Sequence, residues 1–297
     1  MDLFAPPRVI EARLFSRMPD GLRKPQRSAW ADANRGGAPT DCFLEGPCFD
    51  ARGRFFVTDI PHGRVFRVTP DGWETAADYG GWPNGLALAP DGSLLVTDYR
   101  HGLLTLEPDT GAVAPVLETI LSEGFRGLND LTVARDGAVL FTDQGQSGLQ
   151  DPSGRVWRLG ADGRLDLLIR NGPSPNGIAL NRAGTHCYVA MTRSCEIWRF
   201  ALRADAVVGK AQCFFRAPAG ASGPDGLAVD AHDRLFVANA GHGQVWVVDA
   251  HGVCTHRVDC TGFGRWPTNC CLAPDGTTLL ITESGSGQVL AAEIPPP

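Results

Sequence analysis

The 297-residue sequence lacks the marks of several large functional classes. No run of Lys or Arg stands out against a net charge of −6, which argues against a nucleic-acid partner. No apolar run reaches the roughly 18 residues that a bilayer-spanning helix needs, so no membrane partner is expected. Met1 to Arg8 shows no basic stretch leading into an apolar core, and no secretory signal is read there. There is no Gly-x-Ser-x-Gly elbow, which disfavours a covalent serine hydrolase. The nine Cys are odd in number, and none forms a Cys-x-x-Cys arrangement with His. They read as reduced, mostly buried thiols of a cytoplasmic protein, not as a disulfide or zinc framework.

What is present is a repeat. The 36 Gly and 22 Pro are spread along the chain between short apolar runs, as many turns and short strands require. Glu45-Gly-Pro-Cys-Phe-Asp leads into Arg54-Phe-Phe-Val-Thr-Asp59 and then Gly63-Arg-Val-Phe-Arg-Val68. Asn84-Gly-Leu-Ala-Leu leads in the same way into Ser93-Leu-Leu-Val-Thr-Asp98, and Asn129-Asp-Leu-Thr-Val into Ala138-Val-Leu-Phe-Thr-Asp143. Later copies start at Asn176, Asp225 and Asn269, giving anchors 39, 45, 47, 49 and 44 residues apart. Three clear strands and a weaker fourth per repeat of this length predict an all-β, six-bladed β-propeller of four-stranded antiparallel blades. The last copy has three strands, so Val9 to Phe15 is expected to close the ring as its outer strand. Residues 17–40 then form a connection over one face, and 1–297 reads as one domain.

In a propeller the first strand of each blade lines the central axis, so equivalent positions face one another. The six anchors Glu45, Asn84, Asn129, Asn176, Asp225 and Asn269 all carry oxygen. Buried polar groups need partners, and two carboxylates in a narrow channel repel. One divalent cation satisfies both demands. An all-oxygen donor set favours Ca²⁺, then Mg²⁺ or Mn²⁺, with Zn²⁺ as an artificial occupant. Turn capping by Asn-Gly accounts for Asn84 and Asn176 individually, but not for Glu45 at the same phase. The loops on the anchor face place Trp82, Trp266, His62, His101 and Arg126 around the mouth, as a pocket for a small-molecule substrate.

The tripeptides Glu45-Gly-Pro, Leu128-Asn129-Asp130, Pro175-Asn176-Gly177 and Pro224-Asp225-Gly226, in that order, resemble the gluconolactonase and regucalcin (senescence marker protein) family, and more distantly diisopropyl fluorophosphatase. The resemblance implies a catalytic divalent metal held by Glu45, Asn176 and Asp225. It makes Asn129 a fourth ligand or a substrate contact and Asp225 the acid/base. Asn84 and Asn269 then face substrate or water. The sequence departs from the regucalcin branch at Gly127, where that branch has a sugar-binding Arg; Arg126 stands one residue away. An acidic substrate contact of that branch has no match in Gln144 to Gln150. The two Trp suit a bulkier or more apolar substrate.

The expected activity is metal-dependent lactone hydrolysis. Asp225 activates water, and His62 or His101 protonates the departing alkoxide. Phosphotriester or fluorophosphate hydrolysis at the same metal is the alternative chemistry, and a non-catalytic binding propeller the alternative class. The assembly is expected to be a monomer or small homo-oligomer.

Overall fold

The computed structural model describes residues 6–120, 122–203 and 208–297. The first five residues of the stretch read for a signal lie outside the described residues. Six antiparallel sheets surround an axis, each built outward from an inner strand, so the chain is a six-bladed β-propeller. The inner strands are Leu44–Phe49, Pro83–Leu88, Leu128–Val133, Pro175–Leu180, Gly223–Val229 and Pro267–Leu272. The second strands are Phe55–Asp59, Leu94–Asp98, Val139–Asp143, His186–Met191, Leu235–Ala240 and Thr278–Glu283. These second strands are buried on both faces, which is why they read as continuous Val, Leu and Phe runs.

The core is not one mass but six apolar seams, one between each pair of neighbouring blades. Phe66 and Val57 of the first blade meet Leu280 and Val289 of the sixth in one seam. Phe141 and Trp157 of the third blade meet Leu95 and Leu103 of the second in another. A ring of this kind holds only when it closes, because an open blade leaves two apolar faces wet.

Closure differs in detail from the single strand expected at Val9 to Phe15. The segment splits at Ala12. Arg8–Glu11 runs parallel to Cys254–Asp259 as a fifth strand of the fifth blade. Arg13–Arg17 runs antiparallel to Gln288–Glu293 as the outer strand of the sixth. The break has a physical reason: the Ala12 N–H still donates to Asp259 O (3.2 Å), while Ile10 and Ala12 pack into the seam between those two blades. The chain thus crosses the seam and fastens both sides of it.

The repeated Thr-Asp ends act as buckles between blades. The Thr58 hydroxyl donates to the carbonyl of Asn84 (2.7 Å), Thr97 to that of Asn129 (2.5 Å) and Thr142 to that of Asn176 (2.7 Å). Each hydroxyl therefore fixes the backbone of the next blade's anchor. The buried acids that follow bind the loop before their own blade's anchor. Asp59 accepts from Phe43 N–H (2.8 Å), Asp143 from Gly127 N–H (2.9 Å) and Glu283 from Trp266 N–H (2.8 Å). Among the described residues no helix is long and apolar enough to cross a membrane.

Removing residues 1–12 strips away only the parallel strand and should lower the unfolding midpoint by roughly 2–4 °C, the scale of about 1 kcal/mol in a large domain. Removing residues 1–17 also opens the Gln288–Glu293 edge and uncovers Val289 and Ala291, and should cost roughly 10 °C or more. Calorimetry of the two truncations checks this; equal losses would contradict the split closure.

Candidate functional site

Strand register defines which residues are equivalent around the axis. Leu44 pairs with Asp59, Pro83 with Asp98, Leu128 with Asp143, Pro175 with Met191, Pro224 with Asn239 and Pro267 with Glu283. The next residue in each inner strand is Glu45, Asn84, Asn129, Asn176, Asp225 and, in the sixth blade, Thr268. Asn269 is therefore not the sixth anchor. In the sixth blade the register shift falls between Pro267 and Asn269, so Asn269 pairs directly with Thr282 and sits one position further along. Thr268 turns its hydroxyl to Leu44 O (2.8 Å).

Two tiers result. The lower one reads Gly46, Gly85, Asp130, Gly177, Gly226 and Asn269, and its glycines make room for its two polar members. A Cβ on Gly226 would lie 1.9 Å from Asn269 Oδ1, and one on Gly85 would lie 2.4 Å from Asp130 Oδ1. Asn269 Nδ2 donates to Glu45 Oε2 (2.9 Å), and the Gly46 N–H donates to the same oxygen (3.0 Å). Asn269 thus supports the Glu45 carboxylate from below and does not line the mouth.

The upper tier opens into a cavity of about 310 Å³ lined by Glu45, Asn84, Asn129, Asn176 and Asp225, all five of them buried. Burial pushes the Glu45 carboxyl up to about 7; the Asn269 hydrogen bond opposes this, and the nearby Asp130 charge adds to it. Asp225 is raised well above the ordinary carboxylate range by burial first and then by the charges of Glu45 and Asp130, with the Asn176 side chain bonding to it in opposition. Burial likewise raises Asp130 to about 7. Asn129 Nδ2 donates to Gln144 Oε1 (3.0 Å), while Asn84 Oδ1 is buried with no partner among the described residues.

These donors fit a hard cation. Two buried carboxylates, one of which raises the proton affinity of the other, beside amide oxygens of which one is orphaned, are what a divalent ion would neutralise and satisfy. No group of three or more His, Cys, Asp and Glu side chains suited to a metal exists among the described residues, so such an ion would depend on the amide oxygens.

Trp82 and Trp266 line the cavity as the sequence suggested. His62, His101 and Arg126 do not. His62 Nε2 lies 3.1 Å from Thr40 O, in the connection that covers this face. His101 is exposed, its N–H bound to Asp98, which folds the loop back onto its own strand end (2.9 Å). Arg126 is exposed and donates to Ser153 (2.9 Å). Sequence reasoning put the loop that begins at Tyr99 on this face without singling Tyr99 out, and it missed Gln144 and Thr192; all three line the cavity and each directly follows the end of a second strand. That shared position after the Thr-Asp repeat was the available signal. It also missed the helix Ala29–Asn34, capped by Ser28, whose Trp30 packs on Phe43 at 4.9 Å and brings Asn34 and Arg35 to the mouth.

The model of the SMP-30/gluconolactonase/LRE-like region matches residues 43–285. The chain is 27% identical to a gluconolactonase of Zymomonas mobilis subsp. mobilis over 274 residues, covering 81% of this chain and 76% of that one. It is 27% identical over 223 residues to the lactonase drp35 of Staphylococcus aureus, covering 70% and 67%. Among solved structures, a gluconolactonase of Xanthomonas campestris superposes with a TM-score of 0.76 at 25% identity, over 96% of this chain and 98% of that one.

The raised carboxyl groups have a consequence for stability. With chelator present, the folded state keeps protons on Glu45 and Asp225 that the unfolded chain releases at the ordinary values of 4.5 for Glu and 3.8 for Asp. The unfolded state then binds fewer protons, so stability falls as pH rises from about 4.5 through about 7. Thermal melts at pH 5, 6, 7 and 8 should show a falling midpoint, with a shallower fall in Glu45→Gln. A flat or rising midpoint would contradict the burial described.

Proposed function

The chain belongs to the SMP-30/gluconolactonase/LRE-like family, and we propose that it is a divalent-metal-dependent hydrolase that opens a lactone ring. The reading rests on one observation above all: Glu45 and Asp225 are buried with Asn176 and Asn129 around the axis, lining one cavity large enough for a small ring. The gluconolactonase and lactonase relatives support lactone hydrolysis as the reaction class.

Glu45, Asn176 and Asp225 would hold the ion, with Asn129 beside them, and the ion would supply Lewis-acid polarisation of the lactone carbonyl. The residues of this chain supply the rest. Asp225 accepts a proton from the attacking water and returns it to the departing ring oxygen. A carboxyl group held well above the ordinary carboxylate range by burial takes up a proton more readily than a free one, which suits the return of that proton to the ring oxygen. No histidine is required for the second half, which agrees with the positions of His62 and His101 outside the cavity lining. Asn269 and Gly46 hold Glu45 in place, and Gln144 holds Asn129. The cavity walls of Trp82, Tyr99 and Trp266 exclude bulk water and offer flat faces to the ring.

Asp225→Asn should lower kcat for lactone opening by about 10²–10⁴-fold, while its unfolding midpoint does not fall, because burial and the Glu45 charge already disfavour an ionised group at this position and the amide carries none. Acid release from a panel of lactones, with chelator and after return of Ca²⁺, Mn²⁺, Mg²⁺ or Zn²⁺, checks both the chemistry and its metal dependence. Near-full activity in Asp225→Asn, or full activity under chelation, would overturn the mechanism.

A further inference from the structure

The rim of the cavity carries positive charge that the protein leaves uncompensated. Arginines buried elsewhere in the fold are bound to carboxylates: Arg64 to Asp59, Arg155 to Asp143 and Arg234 to Asp230. Arg35 is different. Its guanidinium is half-buried over the rings of Trp266 (4.8 Å), Phe43 (5.2 Å) and Trp30 (6.0 Å). Among the described residues no carboxylate pairs with it, and burial alone acts on its charge. Aromatic faces stabilise a guanidinium but leave its in-plane N–H donors without acceptors. Arg35 lines the same cavity as Glu45 and Asp225.

Arg193 is a second arginine at the mouth, exposed and stacked on no aromatic ring among the described residues. It stands where the cavity meets an adjoining polar groove of about 450 Å³. It too has no carboxylate partner among the described residues, and its charge is felt at Asp225. A neutral ring in the cavity would leave the half-buried Arg35 guanidinium without an acceptor and Arg193 to solvent. A ligand with an ionised group remote from the reacting carbonyl would satisfy them with charge-assisted hydrogen bonds.

We propose that the substrate is an acidic lactone, the cyclised form of a sugar diacid or comparable diacid, whose free carboxylate is received by Arg35 and Arg193 while its ring ester lies over Glu45 and Asp225. This rests on the lactone-hydrolase reading above. In the reaction, water adds to the ring carbonyl and the bond from that carbon to the ring oxygen breaks. One water proton goes to the ring oxygen, the new acid ionises, and the remote carboxylate is unchanged. The product is the open-chain diacid.

The test separates binding from hydrolysis. Quenching of the cavity tryptophans is titrated with an open-chain sugar diacid and with the monoacid of the same chain length. The diacid should bind about tenfold more tightly, the scale of one or two charge-assisted contacts. Arg35→Gln and Arg193→Gln should each weaken the diacid about tenfold more than the monoacid, and Arg35→Lys, which keeps the charge, should recover part of the loss. Equal affinity for the two acids in the wild-type protein, or equal weakening of both in the variants, would overturn the proposal. In parallel, kcat/KM for an acidic lactone should exceed that for its neutral counterpart, with the excess lost in both variants. A diacid preference without hydrolysis of either lactone would uphold the arginine site and overturn the hydrolase reading instead.

Discussion

Everything in this structure turns on holding two buried carboxylates, Glu45 and Asp225, at the axis of a closed ring. Burial makes each of them hard to ionise, and the charge of Glu45 makes Asp225 harder still. Left to itself, such a pair would take up protons or push its strands apart. The fold resists the second outcome by construction. Glu45 and Asp225 stand on strands separated by apolar seams, and the set of seams closes only when all six blades are in place. The Thr hydroxyls that grip the anchor carbonyls of the next blade carry this rigidity to the residues that need it.

That division of labour explains what the sequence showed and what it hid. The repeats were legible because the second strands are buried on both faces and the Thr-Asp ends recur for a physical reason: one residue buckles neighbouring blades and the other holds a loop. Glu45, Asn84, Asn129, Asn176 and Asp225 were legible as a set because the same register places them all. Asn269 looked like the sixth member because it precedes an apolar pair, yet a displaced bulge moves it down one tier. Asp130 was hidden for the same reason, since its neighbour Asn129 occupied the expected phase. The histidines misled because loop position says on which face a residue lies, not what its side chain meets. The N-terminal strand was read correctly as a closure but not as a split one, because Arg8–Glu11 and Arg13–Arg17 serve different blades.

The floor and the rim of the site answer to different constraints. The floor is built from inner strands and their glycines, where a single added methyl would strike Asn269 or Asp130. The rim is built from loops and a short capped helix, which can change residue without disturbing the ring. The proposed chemistry therefore falls to the floor and the proposed selectivity to the rim. In this chain the rim is made of indole faces and unpaired guanidiniums in place of the histidines expected there. One propeller floor can serve many substrates in this way.

The central claim is that the paired carboxylates exist to bind one divalent ion and are protonated until they do. It is tested most directly by titrating chelator-treated protein with Ca²⁺ at pH 6 in two buffers of different ionisation enthalpy, by calorimetry. Metal binding to carboxyl groups held above their ordinary range must displace protons. The account predicts one ion per chain and release of at least about one proton per ion, both abolished in Glu45→Gln. Binding without proton release, or no binding by the wild-type chain, would contradict it.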